Sequence, residues 1–194
     1  MKTLRILCSL CICIIVIVNP GVSQTPAPSP LVRSLDAAKT LMRELKGALA
    51  RHMARGGPSA AIAVCADSAQ ILTRSLEASM GLSLQRVSTR WRNPLNAPDS
   101  LDTLALSRFE RMAAARTLTD TSTISFRTSS DSVILHHTYV PIITQSFCLT
   151  CHGARDALGG GVDSLLAVRY PEDLATGYAA GDLRGAIRIR MRIK

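Results

Sequence analysis

The chain has 194 residues, a formal charge of +9, 47% hydrophobic residues and only 4% aromatic ones, a size that holds one ordinary core and excludes two large domains. Its arginines are scattered instead of lying on one stripe, so no nucleic-acid partner is expected, and the excess charge suits acidic partners or anionic surfaces.

Lys2 and Arg5 precede an apolar run over residues 7–18, after which Asn19, Pro20 and Gly21 break any helix. Small residues at Gly21 and Ser23 suit cleavage before Gln24, so residues 1–23 read as a secretory signal peptide. The run is short for a bilayer span, and no stable transmembrane segment is expected after cleavage; an uncleaved anchor is the alternative. Cys8, Cys11 and Cys13 lie in this leader without the setting of a lipidated cysteine. The expected location is the periplasm or the extracellular side of a bacterial membrane. Beyond the leader only Cys65, Cys148 and Cys151 remain, and an odd number of thiols in an exported chain asks for a reason.

Residues 24–30, QTPAPSP, form an extended spacer ahead of one domain over residues 31–194. Apolar residues at Leu31, Leu35, Ala38, Leu41, Met42, Leu45 and Leu49 predict an amphipathic helix that ends at Gly56, Gly57 and Pro58. A second helix is predicted over 59–80, where Ile62, Cys65, Ala69, Leu72 and Leu76 make an inward stripe and Gly81 supplies the stop. Residues 92–99, RNPLNAPD, read as a rigid loop, and helical spacing returns over 101–115. Two strands follow at 121–127 and 131–140, with the turn at 129–131. Over 186–194, Ile187, Ile189, Met191 and Ile193 alternate with Arg188, Arg190, Arg192 and Lys194. That pattern predicts a strand whose basic side faces water. The whole reads as one α+β domain on an antiparallel sheet.

The stretch CLTCHG, residues 148–153, carries the chemistry. C-x-x-C-H is the attachment signature of c-type haem: each cysteine can form a thioether with a haem vinyl group, and the adjacent histidine can ligate the iron. On one helical turn Cys148, Cys151 and His152 stand at i, i+3 and i+4, so both sulfurs and the imidazole address one ligand. A thioredoxin-like dithiol needs a βαβ setting that is absent, and structural zinc would need Cys65, His52, His136 or His137 to complete four ligands. Export agrees with haem, since bacteria attach it outside the cytoplasm. For the second axial position the residues leave Cys65, His136, His137 or a methionine open, and Cys65 also reads as a plain core cysteine. Arg86, Arg90, Arg92, Tyr178 and Arg184 are candidate contacts for haem propionates.

AIAVC at 61–65, GLSLQRVSTRWRNPLNAPD at 81–99, CLTCHG at 148–153 and YPEDLATGYAAGDLRGAIRI at 170–189 occur in the order that resembles the Tll0287-like haem domain family. The resemblance implies a PAS-like antiparallel sheet with flanking helices that encloses one covalent haem. It also implies His152 as one axial ligand and Cys65 as the other. The chain departs from the family pattern at Ser100-Leu101-Asp102, where Trp-Glu is frequent, and at HHTYVP, residues 136–141. A filled pair of axial sites favours one-electron transfer or redox sensing over turnover. The alternatives are a haem-based sensory or interaction module and a haem enzyme with a labile sixth ligand. A redox partner protein or a membrane sensor protein is the expected partner.

Overall fold

The isoleucine–arginine alternation near the C-terminus builds the centre of the molecule. In the computed structural model, which describes residues 27–63, 65, 68–159 and 161–193, it forms β4 (Leu183–Ile193). The proposed signal peptide and the terminal Lys194 lie outside the described residues. Strand β4 pairs with β1 (Ser83–Val87) on one side and β3 (Val133–Ile143) on the other, and β2 (Ile124–Ser130) closes an antiparallel sheet of order β1-β4-β3-β2. The expected α+β class is the observed one.

Helices cover both faces. Leu84, Ile187, Ile189 and Met191 pack beneath Ala37, Ala38 and Leu41 of α1 (Pro30–Ala63). On the reverse, Val87, Ile124, Tyr139 and Ala186 meet Ala105, Leu106 and Phe109 of α3 (Ser100–Ala114). Each of the larger side chains, the leucines, isoleucines, valine, methionine and phenylalanine, contributes roughly 1.5–3 kcal/mol by leaving water. A third cluster joins Ile62 near the end of α1 to Val162 and Leu166 of α5 (Val162–Arg169).

The glycine break at 56–57 appears as a kink within α1. Gly56 (φ −148, ψ 20) and Gly57 (φ 64, ψ −160) leave helical geometry, and Pro58 starts the next stretch. The single helix expected over 59–80 is divided: α1 ends at Ala63, Cys65 and Ser68 are wound as a π-turn, and α2 (Ala69–Met80) follows, stopping at left-handed Gly81. Strands β2 and β3 sit about three residues later than expected, because Asp131 (φ 48) and Ser132 (φ 64) take the positive φ of a two-residue hairpin turn. Neither β1 nor α5 was legible as an element.

The basic side of β4 faces water only toward its end: Arg192 is exposed and Arg190 half-buried, but Arg188 is covered. Arg188 is 7% exposed and its Nη1 donates to Asp102 Oδ2 at 2.5 Å and Asp99 Oδ2 at 3.1 Å. Asp102, fully buried, also accepts from the Tyr139 hydroxyl at 2.8 Å, while Gln85 accepts from Arg188 and Asp99 from Arg190. The cause is α3, which lies over this side of the sheet. Asp99 and Asp102 cap its first turn reciprocally and thereby present both carboxylates to the arginines. Ser100-Leu101-Asp102, the departure noted above, is thus the start of a buried ion network. No helix among the described residues is long and apolar enough to cross a membrane.

Candidate functional site

Strand β3 leads directly to the cysteine clip. After Ile143 the chain makes a 3₁₀ turn, Ser146–Cys148, that runs into the single turn α4 (Leu149–His152). Cys148, Cys151 and His152 therefore share one helical turn at i, i+3 and i+4. Their side chains enter the wall of a cavity of about 630 Å³, and Cys65 of the π-turn lies in the same wall. The rest is largely apolar: Met42, Leu45, Leu49 and Met53 of α1 with Trp91 and Ile142. Volume and lining are those of a small-molecule site, which commonly spans about 300–1,000 Å³.

His152 is held in one tautomer. Its Nδ1 lies 2.7 Å from the Ala175 carbonyl oxygen, which can only accept, so Nδ1 carries the proton and Nε2 is left bare. Burial first, and then Arg184 and Arg92, hold the imidazole well below its ordinary pKa, in the neutral form that ligates metals. Burial also pushes the Cys65 thiol up, against the opposing pull of Arg86, Arg92 and Arg184.

The Ala175 carbonyl is positioned by a strung loop. Arg92 Nη2 donates to it at 3.2 Å and to Cys151 O at 2.6 Å, while Arg92 Nε meets Asp173 Oδ2 at 3.0 Å. Arg90 donates to the carbonyls of Leu174 and Thr176. Two amides fasten the loop to the clip, Gly177 N to Gly153 O at 2.6 Å and Tyr178 N to His152 O at 2.9 Å. Gly153 is required there, because a Cβ would stand 2.6 Å from Leu149 O.

Of the candidate propionate contacts, the structure brings Arg86 and Arg184 to the cavity wall. Arg184 Nη1 donates to Ser88 Oγ at 3.1 Å and Arg90 O at 3.0 Å, and its Nε is buried without an acceptor. Among the described residues neither Arg86 nor Arg184 has an ion pair with a carboxylate. Arg90 and Arg92 are instead held by backbone carbonyls of the 173–178 loop. Tyr178 is enclosed by two cations, with the Arg90 guanidinium 4.1 Å and that of Arg184 5.2 Å from its ring centre.

His136 and His137 are not brought to the cavity. They lie on β3 on opposite sides of the sheet, paired with Met191 and Arg190. Ile142, which does line the cavity, is six residues from His136, roughly 20 Å along a strand. His137 Nε2 is 2.8 Å from Thr128 Oγ1, while its Nδ1 and both nitrogens of His136 are buried without partners.

The donor atoms surround the cavity and do not converge. Among the described residues no three His, Cys, Asp or Glu side chains gather closely enough to hold a bare metal ion, which counts against zinc. Two thiols on one turn, an imidazole with its free nitrogen defined, a third thiol in the wall and two guanidinium groups that have no carboxylate partner among the described residues fit a bulky ligand that brings its own metal and its own negative charge. Sequence reasoning placed Met42, Leu45 and Leu49 in the core by periodicity. It had no signal for the Ala175 carbonyl, a backbone group, or for Asp173.

A family model described as Tll0287-like matches residues 24–192. Among solved structures, the crystal structure of the cyanobacterial heme-protein Tll0287 resembles the chain with a TM-score of 0.62 and 24% sequence identity, covering 86% of this chain and 98% of that one. At that identity the likeness speaks for the fold. No curated protein matches.

Proposed function

This chain belongs to the Tll0287-like family, and on that premise we propose that it is an exported monohaem c-type protein for one-electron transfer or redox sensing. The observation that carries the reading is the arrangement of Cys148, Cys151, His152 and Cys65 around one cavity, with His152 Nδ1 already committed to Ala175 O. The solved relative is itself a heme protein, which supports the cofactor class.

In this reading each thiol of Cys148 and Cys151 adds across one vinyl group: a sulfur–carbon bond forms, the thiol hydrogen goes to the other vinyl carbon, and no net oxidation occurs. His152 Nε2 and the Cys65 sulfur would hold the iron, and Arg86 and Arg184 would answer the propionates. Bound haem supplies a reversible one-electron couple at iron. The chain's own task is to keep it ligated, neutralised and shielded from water by the apolar wall of α1. Held by both His152 and Cys65, the iron would have no site left for a substrate, which favours carriage or sensing over turnover. A cleaved leader over residues 1–23 would put the protein in the periplasm or on the extracellular side, where a redox partner protein or a membrane sensor protein would be met.

The test is export from a host competent for haem c maturation, followed by acid–acetone extraction and visible spectra of both oxidation states. Colour that stays with the polypeptide, and thiolate features lost in Cys65→Ala, are the expected results. Extractable colour would remove the covalent assignment, and an unchanged Cys65→Ala spectrum would remove Cys65 as ligand.

A further inference from the structure

Arg92 does not line the cavity, yet it is the best-connected side chain behind it. It is 8% exposed and forms an ion pair with Asp173 whose side chains are 9% and 2% exposed. Its Nη2 reaches Cys151 O at 2.6 Å and Ala175 O at 3.2 Å. The second contact matters most, because Ala175 O is also the acceptor for His152 Nδ1 at 2.7 Å. One carbonyl with two lone pairs thus serves an imidazole N–H and a guanidinium at once.

Resting on the haem reading above, we infer that the Arg92–Asp173 pair is a positioning element for His152 that sets how strongly its Nε2 donates to iron. A carbonyl already engaged by a cation draws less on a second N–H, so the imidazole stays a weaker donor. Asp173 moderates that effect by neutralising Arg92. It also accepts the Ala175 amide at 2.8 Å through its other oxygen, which holds the carbonyl in place. The two members of the pair therefore act in opposite senses. Without Arg92 the carbonyl is released and the Asp173 carboxylate stands unbalanced, so His152 donates more and the oxidised form gains. Without the Asp173 charge, Arg92 acts unopposed and the reduced form gains.

A purely architectural pair has no such reversal of sign, since loss of either member would loosen the same loop. The experiment is a spectroscopic redox titration of the haem-loaded protein with ferricyanide and dithionite, comparing wild type with Arg92→Gln, Arg92→Lys and Asp173→Asn. The asparagine keeps an oxygen for the Ala175 amide and turns the oxygen that faces Arg92 into an NH2 donor, so the charge and its bonds to the guanidinium are lost together. Arg92→Gln is expected to favour the oxidised form by about tenfold, a midpoint lower by about 59 mV for a one-electron couple. Asp173→Asn is expected to move the midpoint the other way by severalfold, and Arg92→Lys to fall between Arg92→Gln and wild type. If Arg92→Gln fails to accumulate, the signs of Arg92→Lys and Asp173→Asn decide. Haem-loaded variants whose midpoints stay at wild type, or all move in one direction, overturn the inference. Wild-type protein without covalent haem overturns the underlying reading and this inference with it.

Discussion

Two arginine clusters flank the same central strand, and they are completed in different ways. Around Arg188 every charge has its counterpart: Asp102 and Asp99 take the guanidinium, and Tyr139 satisfies the other Asp102 oxygen. At the cavity, Arg86 and Arg184 stand in the wall that also holds the Cys65 thiol, and among the described residues neither forms an ion pair with a carboxylate. Burial depresses both guanidinium pKa values, most directly by desolvation. The first cluster is a piece of architecture with its charges paired, although Arg188 Nε and Arg190 Nε are buried without an acceptor, as Arg184 Nε is. The second is half of one, and the half it lacks is anionic. A desolvated cation that lacks a counter-ion weakens a fold, and an anionic ligand would offset that cost.

The largest effect separates ligand from fold. Replacing Cys148 and Cys151 together by serine should abolish colour that survives acid–acetone, while far-ultraviolet circular dichroism keeps its helix and sheet signature. Loss of both signals together would mean that the clip is needed to fold the chain. Asp102→Ala addresses the finished cluster. It strands Arg188 beneath α3 and should lower unfolding stability by about 3–5 kcal/mol in urea melts without shifting the visible spectrum. A cost near zero would show that Asp99 and water replace Asp102 easily. Arg86→Gln sharpens the contrast from the other side. With haem attached it should weaken the fold by about 1.5–3 kcal/mol through a lost charge-assisted bond, whereas in the Cys148/Cys151 double variant it should be neutral or stabilising. A loss of equal size in both backgrounds would place Arg86 in the architecture and not in the site.

The smallest effects are acid-dependent. Burial, with Arg127 for one and Arg190 for the other, depresses the pKa values of His136 and His137. A histidine with a lowered folded-state pKa stabilises the fold above its unfolded value, and this contribution falls away as pH drops below about 6.5. Asp99 adds a lower step. Partial burial opposes it, but the Asp102 amide and Arg190 hold its carboxyl below the ordinary value, so its share is lost only as pH falls below about 3.9. Stability against pH should therefore decline in two stages. His136→Leu removes two orphaned nitrogens and should raise stability by about 1 kcal/mol while flattening the upper stage; a lower melting temperature would reveal a partner for that ring.

The clip was legible because its chemistry is local: five residues define the sulfurs, the imidazole and the turn that aligns them. The two amphipathic helices were legible from apolar spacing, although the π-turn at Cys65 was not, since periodicity locates a side chain on a face without registering an inserted residue. Arg188 shows where alternation fails. IRIRMRI states that two faces differ in polarity, but only α3 and its two capping aspartates determine that the polar face is covered. Strand β1 was missed for a related reason. SLQRV has no clean alternation and becomes a strand by pairing with β4, a partner roughly a hundred residues away in sequence. Arg92 was legible as important and misread in role, because its acceptors are carbonyls and every residue has one of those.

The cavity wall is drawn from remote parts of the chain. Cys65 lies at the junction of α1 and α2 and the clip beyond β3, roughly eighty residues apart, and a ligand bonded to both is a cross-link. Closing a loop of that length removes on the order of 4 kcal/mol of conformational entropy from the unfolded chain. Attachment at Cys148 and Cys151 alone closes almost nothing, since they are neighbours. A bond to Cys65, by contrast, would tie the helical half of the chain to the sheet. Electron arrival at the metal, by weakening its hold on a thiolate, would then loosen a tether as well as change a charge, and mechanical slack between α2 and the clip becomes a readable record of oxidation state.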